Sequence, residues 1–214
     1  MTSLPKIRAV ILDYGEVLCH RPAPEDIERM AGMFQMDSQS FFPAYLQSRA
    51  PYDKGDLLPG EYWQKFAGQA GVKLDAAAIE NLRRWDLEQW STVNEPMILW
   101  VQKIYSAGYK TAILSNMPPD MIEHVRKSFA WLTHFDQHTF SADVRSVKPE
   151  PEIYQHCIRA LGVQPAEALF VDDREINIEQ ARAIGIRAIR FHSLGQFRKD
   201  LHALGFPILP GSAT

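Results

Sequence analysis

The stretch that decides the fold is AVILDYGEVL, residues 9–18, in which four apolar residues precede an aspartate and a glycine turn. An apolar run of this kind is typical of a strand that is buried on both faces of a parallel sheet. Asp13 would then lie at the carboxyl end of the strand, where the functional residues of α/β proteins are found. A buried carboxylate is costly unless it has a partner or a task. The stretch therefore predicts a parallel sheet, with Asp13 as a candidate functional residue.

Short apolar runs alternate with amphipathic helical patterns along most of the chain. We predict strands at residues 7–12, 110–114, 138–140, 168–171 and 187–191. We predict helices at residues 96–107, 120–129, 152–161 and 176–184. Gly108, Gly162 and Gly185 each follow one of these helices, the position at which glycine commonly terminates a helix. The alternation predicts an α/β, Rossmann-like, three-layer fold with a parallel sheet covered on both faces.

One long segment breaks this alternation. Residues 20–95 contain helical patterns at 25–34, 40–48, 60–70 and 76–90, and no convincing strand. The stretch APYDKGDLLPGEYW, residues 50–63, has the composition of a turn-rich loop. We therefore predict a core formed by residues 1–19 and 96–214, with residues 20–95 inserted as a small helical cap.

The composition narrows the classes of partner. The chain has 214 residues, 46% hydrophobic and 23% charged, with a formal net charge of −3 and no basic or acidic block. This balance gives no support for nucleic-acid or membrane-surface binding. No apolar stretch approaches the length of a membrane span, and the first residues lack the pattern of a signal peptide. Cys19 and Cys157 are far apart and form no zinc pattern. We expect a cytoplasmic protein with reduced thiols.

Two further motifs offer groups that can bind an anion. In TAILSNMPPDM, residues 111–121, an apolar strand ends at Ser115 and Asn116, and the two prolines suit the first turn of a helix. A hydroxyl beside free backbone N–H groups can bind an anion, although a simple helix cap explains these residues equally well. In SVKPEPEIY, residues 146–154, Lys148 precedes a proline-initiated helix. Most lysines in such loops are only solvated.

The fourth motif is ALFVDDREINIEQARAIG, residues 168–185, in which two adjacent acids follow an apolar strand. Asp172 and Asp173 repel each other when they are buried, so they need a cation or hydrogen-bond donors. Mg²⁺ suits a site with few carboxylates and a phosphate. Asn177 lies one helical turn further on and is able to hydrogen-bond the acidic pair. If the strands are parallel, all four motifs lie at one edge of the sheet, a combination suited to a phosphate ester.

In order along the chain, these four motifs resemble those of the haloacid dehalogenase superfamily. They are D-x-G-x-V at 13–17, I-L-S-N at 113–116, V-K-P-E-P at 147–151 and F-V-D-D-x-x-x-N at 170–177. The helical block resembles the cap that this family inserts between its first and second motifs. The stretch at 52–66 also resembles the cap of sugar-phosphate phosphatases and of the phosphatase domain of soluble epoxide hydrolases.

The resemblance implies a role for each matched residue. Asp13 would attack phosphorus and form an aspartyl-phosphate. Ser115 and the backbone at Asn116 would hold the phosphoryl oxygens, and Lys148 would neutralise charge on the nucleophile and the transferring group.

The metal site is implied in the same way. Asp173 would bind Mg²⁺ together with a carboxylate oxygen of Asp13 and the backbone carbonyl of Gly15. Asp172 would orient Lys148 or a metal-bound water. Asn177 would contact the residues of the site and not the metal itself. The implied substrate is a small phosphorylated metabolite, sugar phosphates included. The implied assembly is a monomer or a homodimer.

Gly15 departs from the pattern of the family. Most phosphatases of the superfamily carry at this position a second aspartate that acts as general acid and base. Its loss would cost on the order of 10²- to 10⁴-fold in rate. In one interpretation the chain remains a phosphatase, and Glu16, His20 or a good leaving group compensates.

Two alternatives remain open. A 2-haloacid dehalogenase would use Asp13 to attack carbon without a metal, but that branch has a non-acidic fourth motif. A non-catalytic binder of phosphate or of a metabolite would keep the fold and the metal site. In either case, six residues near the predicted cap loop are candidates for contacts with the rest of the ligand. They are Arg49, Tyr52, Asp53, Lys54, Tyr62 and Trp63.

Overall fold

The computed structural model describes residues 5–211, and its centre is a five-stranded parallel sheet in the order β3-β2-β1-β4-β5. The strands are β1 (Ala9–Leu12), β2 (Lys110–Ser115), β3 (Gln137–Phe140), β4 (Ala168–Asp172) and β5 (Arg187–Arg190). All five strands expected from the sequence are present, and each predicted boundary is within two residues of the observed one. The predicted α/β fold with a parallel sheet is confirmed.

Strand β1 lies at the centre of the sheet and is fully buried along its length. Ala9 is paired with Lys110 of β2 on one side and with Ala168 of β4 on the other. The strand order reverses between β1 and β4, because the chain passes first to β2 and β3 and then returns to the other side. Ligands in open α/β sheets bind at such a switch point, outside the carboxyl ends of the strands.

Eleven helices are present among residues 5–211. They are α1 (Pro24–Gly32), α2 (Ser38–Ser48), α3 (Ala50–Asp53), α4 (Pro59–Gln69), α5 (Ala76–Gln89), α6 (Glu95–Ser106), α7 (Pro119–Ser128), α8 (Ser141–Val144), α9 (Pro151–Leu161), α10 (Glu175–Ala183) and α11 (Leu194–Ala203). Helices α6, α7 and α11 share one apolar cluster with the sheet, and helices α9 and α10 share another. The three expected glycines, Gly108, Gly162 and Gly185, have φ angles of 85°, 64° and 89° after their helices.

Helices α1 to α5, which follow β1, have an apolar cluster of their own. We call Pro24–Gln89, which contains α1 to α5, the helical insert. Its core is rich in aromatic rings, among them Phe34, Phe41 and Trp63, which pack as stacked and edge-to-face pairs. The two connections to the sheet meet at an antiparallel bridge between Cys19 and Val93. The predicted division into separate core and cap domains stays a prediction.

Three of these helices are absent from the sequence prediction. Helix α3 occupies the first part of the stretch predicted as a turn-rich loop, and Pro51 lies in its first turn. Helix α8 has only four residues, too few for a periodic pattern. Helix α11 begins after the Ser193 cap, which accepts a hydrogen bond from the Gln196 N–H. Among residues 5–211, no helix is both long and apolar enough to cross a membrane.

Candidate active site

Asp13 lies at the carboxyl end of β1, as the sequence predicts, and is 7% exposed. Its backbone N–H donates to the carbonyl of Val171 at 2.9 Å, which extends the sheet by one hydrogen bond. Oδ1 accepts from the Tyr14 N–H at 2.7 Å and lies 2.8 Å from Nζ of Lys148. Two donors on one oxygen fix the orientation of the carboxylate.

Lys148 is buried and contacts two of the predicted site residues at once. Its Nζ lies 2.8 Å from Oδ1 of Asp13 and 2.6 Å from Oδ2 of Asp172. The backbone of Lys148 is held by the amide of Asn116, which accepts from the Lys148 N–H at 2.7 Å and donates to the Lys148 carbonyl at 3.0 Å. The sequence analysis expected only the backbone of Asn116 to act. The structure adds a positioning contact for its side chain.

Asp172 is fully buried at the end of β4. Besides Lys148, its Oδ1 accepts from the Arg174 N–H and from Nδ2 of Asn177, both at 2.9 Å. Asn177 therefore lies behind the site, where the sequence analysis expected it. The Oδ1 atom of Asn177 is buried and has no hydrogen-bond partner among the described residues. This orphan acceptor requires a donor that only a ligand or a water molecule can supply.

Three carboxylates share this edge of the sheet. Oxygens of Asp13, Asp172 and Asp173 all lie within 4.8 Å of one another. Burial raises the pKa of Asp13 to about 6, although Lys148 opposes the shift. Burial raises the pKa of Asp173 to about 7, reinforced by the charges of Asp13 and Asp172. Burial disfavours the charge on Lys148, but Asp13 and Asp172 outweigh it and raise the lysine pKa. One lysine does not balance three carboxylates.

The free donor atoms at this edge fit a magnesium ion. No ion pair or side-chain hydrogen bond involves the carboxylate of Asp173 within residues 5–211, and it belongs to the acidic cluster. Carboxylate and carbonyl oxygens are the ligands that Mg²⁺ prefers, usually completed by water molecules. The orphan oxygen of Asn177 suits a water molecule in the shell of such an ion. Gly15 lies in the turn after Asp13 and lines the same cavity.

A cavity of about 210 Å³ lies above the carboxyl edge of the sheet. Its floor includes Asp13, Ser115, Lys148 and Asp173, and the helical insert supplies its roof. Of the eight site residues predicted from the four motifs, only Asp172 does not line the cavity. Its carboxylate contacts Lys148 instead. The residues that line the cavity are Asp13, Tyr14, Gly15, Glu16, Leu46, Gln47, Arg49, Asp53, Trp90, Ser115, Asn116, Met117, Pro118, Met121, Lys148, Asp173, Arg174 and Asn177.

Only two of the six candidates from the cap loop reach the cavity. Arg49 and Asp53 line it. The rings of Tyr52, Tyr62 and Trp63 belong instead to the apolar core of the insert, and Lys54 forms an ion pair with Glu150. Of the two candidate proton donors near Asp13, Glu16 lines the cavity. His20 is exposed and is not among the lining residues.

The sequence analysis missed a polar network that supports Arg49. Nη1 of Arg49 lies 3.0 Å from Oδ2 of Asp86, and the Tyr45 hydroxyl donates to the same carboxylate. The indole N–H of Trp90 donates to the Tyr45 hydroxyl at 2.9 Å. The available signal was an aspartate within the helical pattern of residues 76–90, but its partner lies 37 residues earlier in the chain.

Comparison with known proteins assigns the family. A model of haloacid dehalogenase-like hydrolases matches residues 6–185. The chain belongs to this family. The resemblance seen in the four motifs is thereby confirmed.

Individual relatives span more than one chemistry. The chain is 33% identical to acyl-CoA dehydrogenase family member 10 of Mus musculus over 94% of its length, and the match spans only 19% of that protein. Among solved structures, a HAD family enzyme of Bacteroides thetaiotaomicron in complex with magnesium and inorganic phosphate superposes with a TM-score of 0.68, at 22% identity and with 87% and 94% of the two chains covered. The L-2-haloacid dehalogenase of Xanthobacter autotrophicus superposes with a TM-score of 0.67 at 21% identity, with 92% of this chain and 83% of that chain covered. These structural likenesses show the fold.

Proposed function

We propose that this chain is a Mg²⁺-dependent phosphomonoesterase that acts on a small phosphorylated metabolite through an aspartyl-phosphate at Asp13. The observation that carries the proposal is the charge imbalance at the edge of the sheet. Lys148 contacts Asp13 and Asp172, and the neighbouring carboxylate of Asp173 has no donor within the described residues. A divalent cation restores this balance and brings affinity for a phosphate group.

The residues at the edge divide the chemistry among them. Asp13 is the nucleophile, held by Lys148 and the Tyr14 N–H so that its carboxylate faces the cavity. Lys148 and the hydroxyl of Ser115 stabilise negative charge on the phosphoryl group as it transfers. Asp172 and the amide of Asn116 keep Lys148 in place. When bound, a Mg²⁺ ion held by Asp13, Asp173 and the Gly15 carbonyl would act as a Lewis acid for the phosphoryl oxygens.

The size of the cavity supports a small substrate. About 210 Å³ of space lies beneath the helical insert, enough for a phosphate and a compact organic group. Leu46, Trp90, Met117 and Met121 provide apolar wall, and Arg49 and Arg174 provide positive charge. Small phosphorylated metabolites, sugar phosphates among them, are therefore the proposed substrates.

The acidic pair argues against a 2-haloacid substrate. Such a substrate carries its own carboxylate, which in the absence of a metal ion would meet the unpaired Asp173. Because a dehalogenase of known structure has the same fold, dehalogenase activity should be assayed directly.

The test is phosphate release from p-nitrophenyl phosphate by the wild-type protein and by Asp13→Asn, each with Mg²⁺ and with EDTA. This leaving group hardly needs a general acid, so Gly15 does not mask the activity. We expect turnover that requires both Mg²⁺ and Asp13. Folded wild-type protein that releases halide from 2-chloropropionate, and no phosphate from the ester, would overturn the proposal.

A further inference from the structure

The glycine at position 15 leaves the turn after Asp13 without a carboxyl group that could move a proton. Within residues 5–211, two acids outside the metal-type cluster line the cavity, Glu16 and Asp53. They differ in their surroundings. The Glu16 side chain is 29% exposed and lies 4.0 Å from Arg21, whereas Asp53 is 6% exposed.

We propose that Asp53, carried by the helical insert, is the proton donor and acceptor for the reaction at Asp13. The inference rests on the proposed phosphatase function and adds to it a catalytic residue from the insert. In this role Asp53 would supply the acid that Gly15 lacks, so that esters with poor leaving groups could react.

A buried hydroxyl ties Asp53 to the phosphate-binding loop. Asp53 is the last residue of α3, and its carbonyl accepts a hydrogen bond from the Ser141 hydroxyl. The Ser141 oxygen in turn accepts from the Met117 N–H at 2.8 Å. Met117 lies two residues after Ser115, so the backbone of Asp53 is held beside the loop that would bind the phosphoryl oxygens. Ser141 is fully buried, which protects this link from water.

The carboxylate of Asp53 keeps one oxygen available. Nε of Arg49 donates to Oδ1 at 3.2 Å. No hydrogen bond to Oδ2 is seen within residues 5–211, and the residue lines the cavity. An acid that must pass a proton to a substrate needs such a free oxygen within hydrogen-bond reach.

The direction of the reaction favours an acid on the insert. In phosphoryl transfer the attacking and leaving oxygens lie roughly in line with phosphorus. Asp13 attacks from the floor of the cavity at the sheet edge, so the leaving oxygen departs toward the roof. Asp53 and Arg49 belong to that roof.

The charges around Asp53 favour the exchange of its carboxyl proton near neutral pH. Burial raises the pKa of Asp53 to about 6, Arg49 opposes this shift, and Asp86 adds to it. The charged and titratable groups that face Asp53 or flank it are Arg49, Tyr62, Asp86 and Arg174, with the ion pairs Lys54–Glu150 and Arg145–Asp56 beside it. A phosphate dianion in the cavity would raise this pKa further.

The two half-reactions balance with one proton on Asp53. Asp13 attacks phosphorus, the bond from phosphorus to the ester oxygen breaks, and that oxygen takes the proton of Asp53 and leaves as an alcohol. A water molecule then attacks the phosphorus of the aspartyl-phosphate and gives a proton back to Asp53. The bond from phosphorus to the Asp13 oxygen breaks, which releases inorganic phosphate and restores both residues.

The experiment is a leaving-group series of p-nitrophenyl, phenyl and alkyl phosphates, assayed with Mg²⁺. For Asp53→Asn we expect a loss of on the order of 10²- to 10³-fold in kcat/KM with the alkyl ester, and less than about tenfold with the p-nitrophenyl ester. Asp53→Glu keeps a carboxyl group and should recover most of the alkyl activity. The matched control is Asp56→Asn, three residues away, exposed and outside the cavity lining, which should follow the wild type throughout.

A pH profile adds a readout that a purely structural role would not change. For the alkyl ester, wild-type kcat/KM should fall about tenfold per unit above a pH of about 6, since Asp53 must carry a proton to act as an acid. Asp53→Asn should lose this limb. In the metal-free protein, NMR of labelled aspartate carboxyl carbons should show titrations near pH 6 from both Asp13 and Asp53, and Asp53→Asn should lose only the titration of residue 53.

The outcomes separate this inference from the proposed function. Wild-type protein that hydrolyses no phosphate ester would overturn both. Wild-type protein that hydrolyses p-nitrophenyl phosphate with Mg²⁺, beside an Asp53→Asn variant that loses the same factor for every leaving group, would overturn the role of Asp53 alone. A leaving-group effect seen in Glu16→Gln and absent from Asp53→Asn would assign the proton to Glu16 instead.

Discussion

Residues 5–211 contain two buried charge clusters, one at the edge of the sheet and one in the helical insert, and the charges of the two clusters are balanced differently. In the insert, Asp86 accepts from Arg49, from the Tyr45 hydroxyl and from Nε2 of Gln89 at 3.0 Å. At the sheet edge, Lys148 alone serves Asp13 and Asp172, and Asp173 has no partner of its own within residues 5–211.

The difference shows what makes a buried charged group available to bind a ligand. A fully hydrogen-bonded group, such as Asp86, rigidifies its surroundings and has no capacity left for a ligand. A carboxylate whose charge is not balanced, such as Asp173, has a raised pKa and attracts a cation. Substitutions of the charged and polar residues in the two clusters test this contrast.

The largest expected effect is that of Asp13→Asn on activity. The amide cannot act as the nucleophile, so kcat with p-nitrophenyl phosphate should fall by at least about 10³-fold. The fold should be kept, since Lys148 retains Asp172 as a partner. Steady-state kinetics and circular dichroism measure the two effects. A variant that keeps a tenth or more of the wild-type rate would exclude Asp13 as the nucleophile.

Removing the cation of each cluster compares the two clusters directly. Lys148→Met leaves Asp13 and Asp172, whose oxygens lie within 4.8 Å, without a counter-charge, and Arg49→Met does the same to Asp53 and Asp86. Each substitution should lower the free energy of unfolding by about 3–5 kcal/mol. Urea denaturation measures this. Arg126→Met, which breaks an exposed pair with Asp143, is the control and should cost less than about 1 kcal/mol. Equal small losses in all three variants would contradict the buried ion-pair account.

Asp173→Asn should stabilise the metal-free protein. Folded Asp173 has a pKa of about 7 against an ordinary value of 3.8, so the folded state binds the proton more tightly and loses stability as pH rises from about 4 to above 7. At pH 8 the neutral amide removes this penalty, which we expect to be on the order of 1 kcal/mol or more.

Thermal melts with EDTA and with Mg²⁺ check this expectation. Mg²⁺ should raise the Tm of the wild type at pH 8 and leave that of Asp173→Asn nearly unchanged. The matched control is Asp143→Asn, an exposed acid that should respond to Mg²⁺ as the wild type does. A metal-free Asp173→Asn that melts below the wild type at pH 8 would show that Asp173 is already neutralised within the protein.

The smallest effect concerns a single hydroxyl in the insert. Tyr45→Phe removes one donor from Asp86 and one acceptor from Trp90, so it should lower the free energy of unfolding by about 1–3 kcal/mol. Tyr105→Phe, on a partly exposed ring, should change it by less than about 0.5 kcal/mol. Urea denaturation of both variants measures the two changes in the free energy of unfolding. Equal values would mean that the insert cluster is not held by its hydrogen bonds.

Most of the site at the sheet edge can be predicted from the sequence, because the carboxyl ends of parallel strands meet at the same edge of a sheet. Apolar runs that stop at Asp13, Ser115 and Asp172 suffice to predict that these residues meet. The predicted placement of Lys148 and Asn177 is matched by their contacts with Asp172. A local pattern was enough here because each residue directly follows, or lies close to, a strand or helix end.

The sequence identified Arg49 and Asp53 as candidates for the roof of the cavity, but it did not predict the contacts that hold them. Arg49 lies between α2 and α3, Asp86 lies in α5, and only the packing of the insert brings them together. The short helix α3, which presents Asp53, lies in a stretch whose prolines and glycines resemble a loop. Its position depends on the distant Ser141 hydroxyl. No periodicity encodes contacts of that kind.

The most direct test of the central claim is to trap the covalent intermediate. Wild-type protein is mixed with Mg²⁺ and p-nitrophenyl phosphate, quenched with acid within a turnover, digested and examined by mass spectrometry, with Asp13→Asn as the control. The account predicts a phosphoryl group on the peptide that contains Asp13, absent from the variant. Phosphate release without that modified peptide, or a phosphoryl group on another residue, would contradict it.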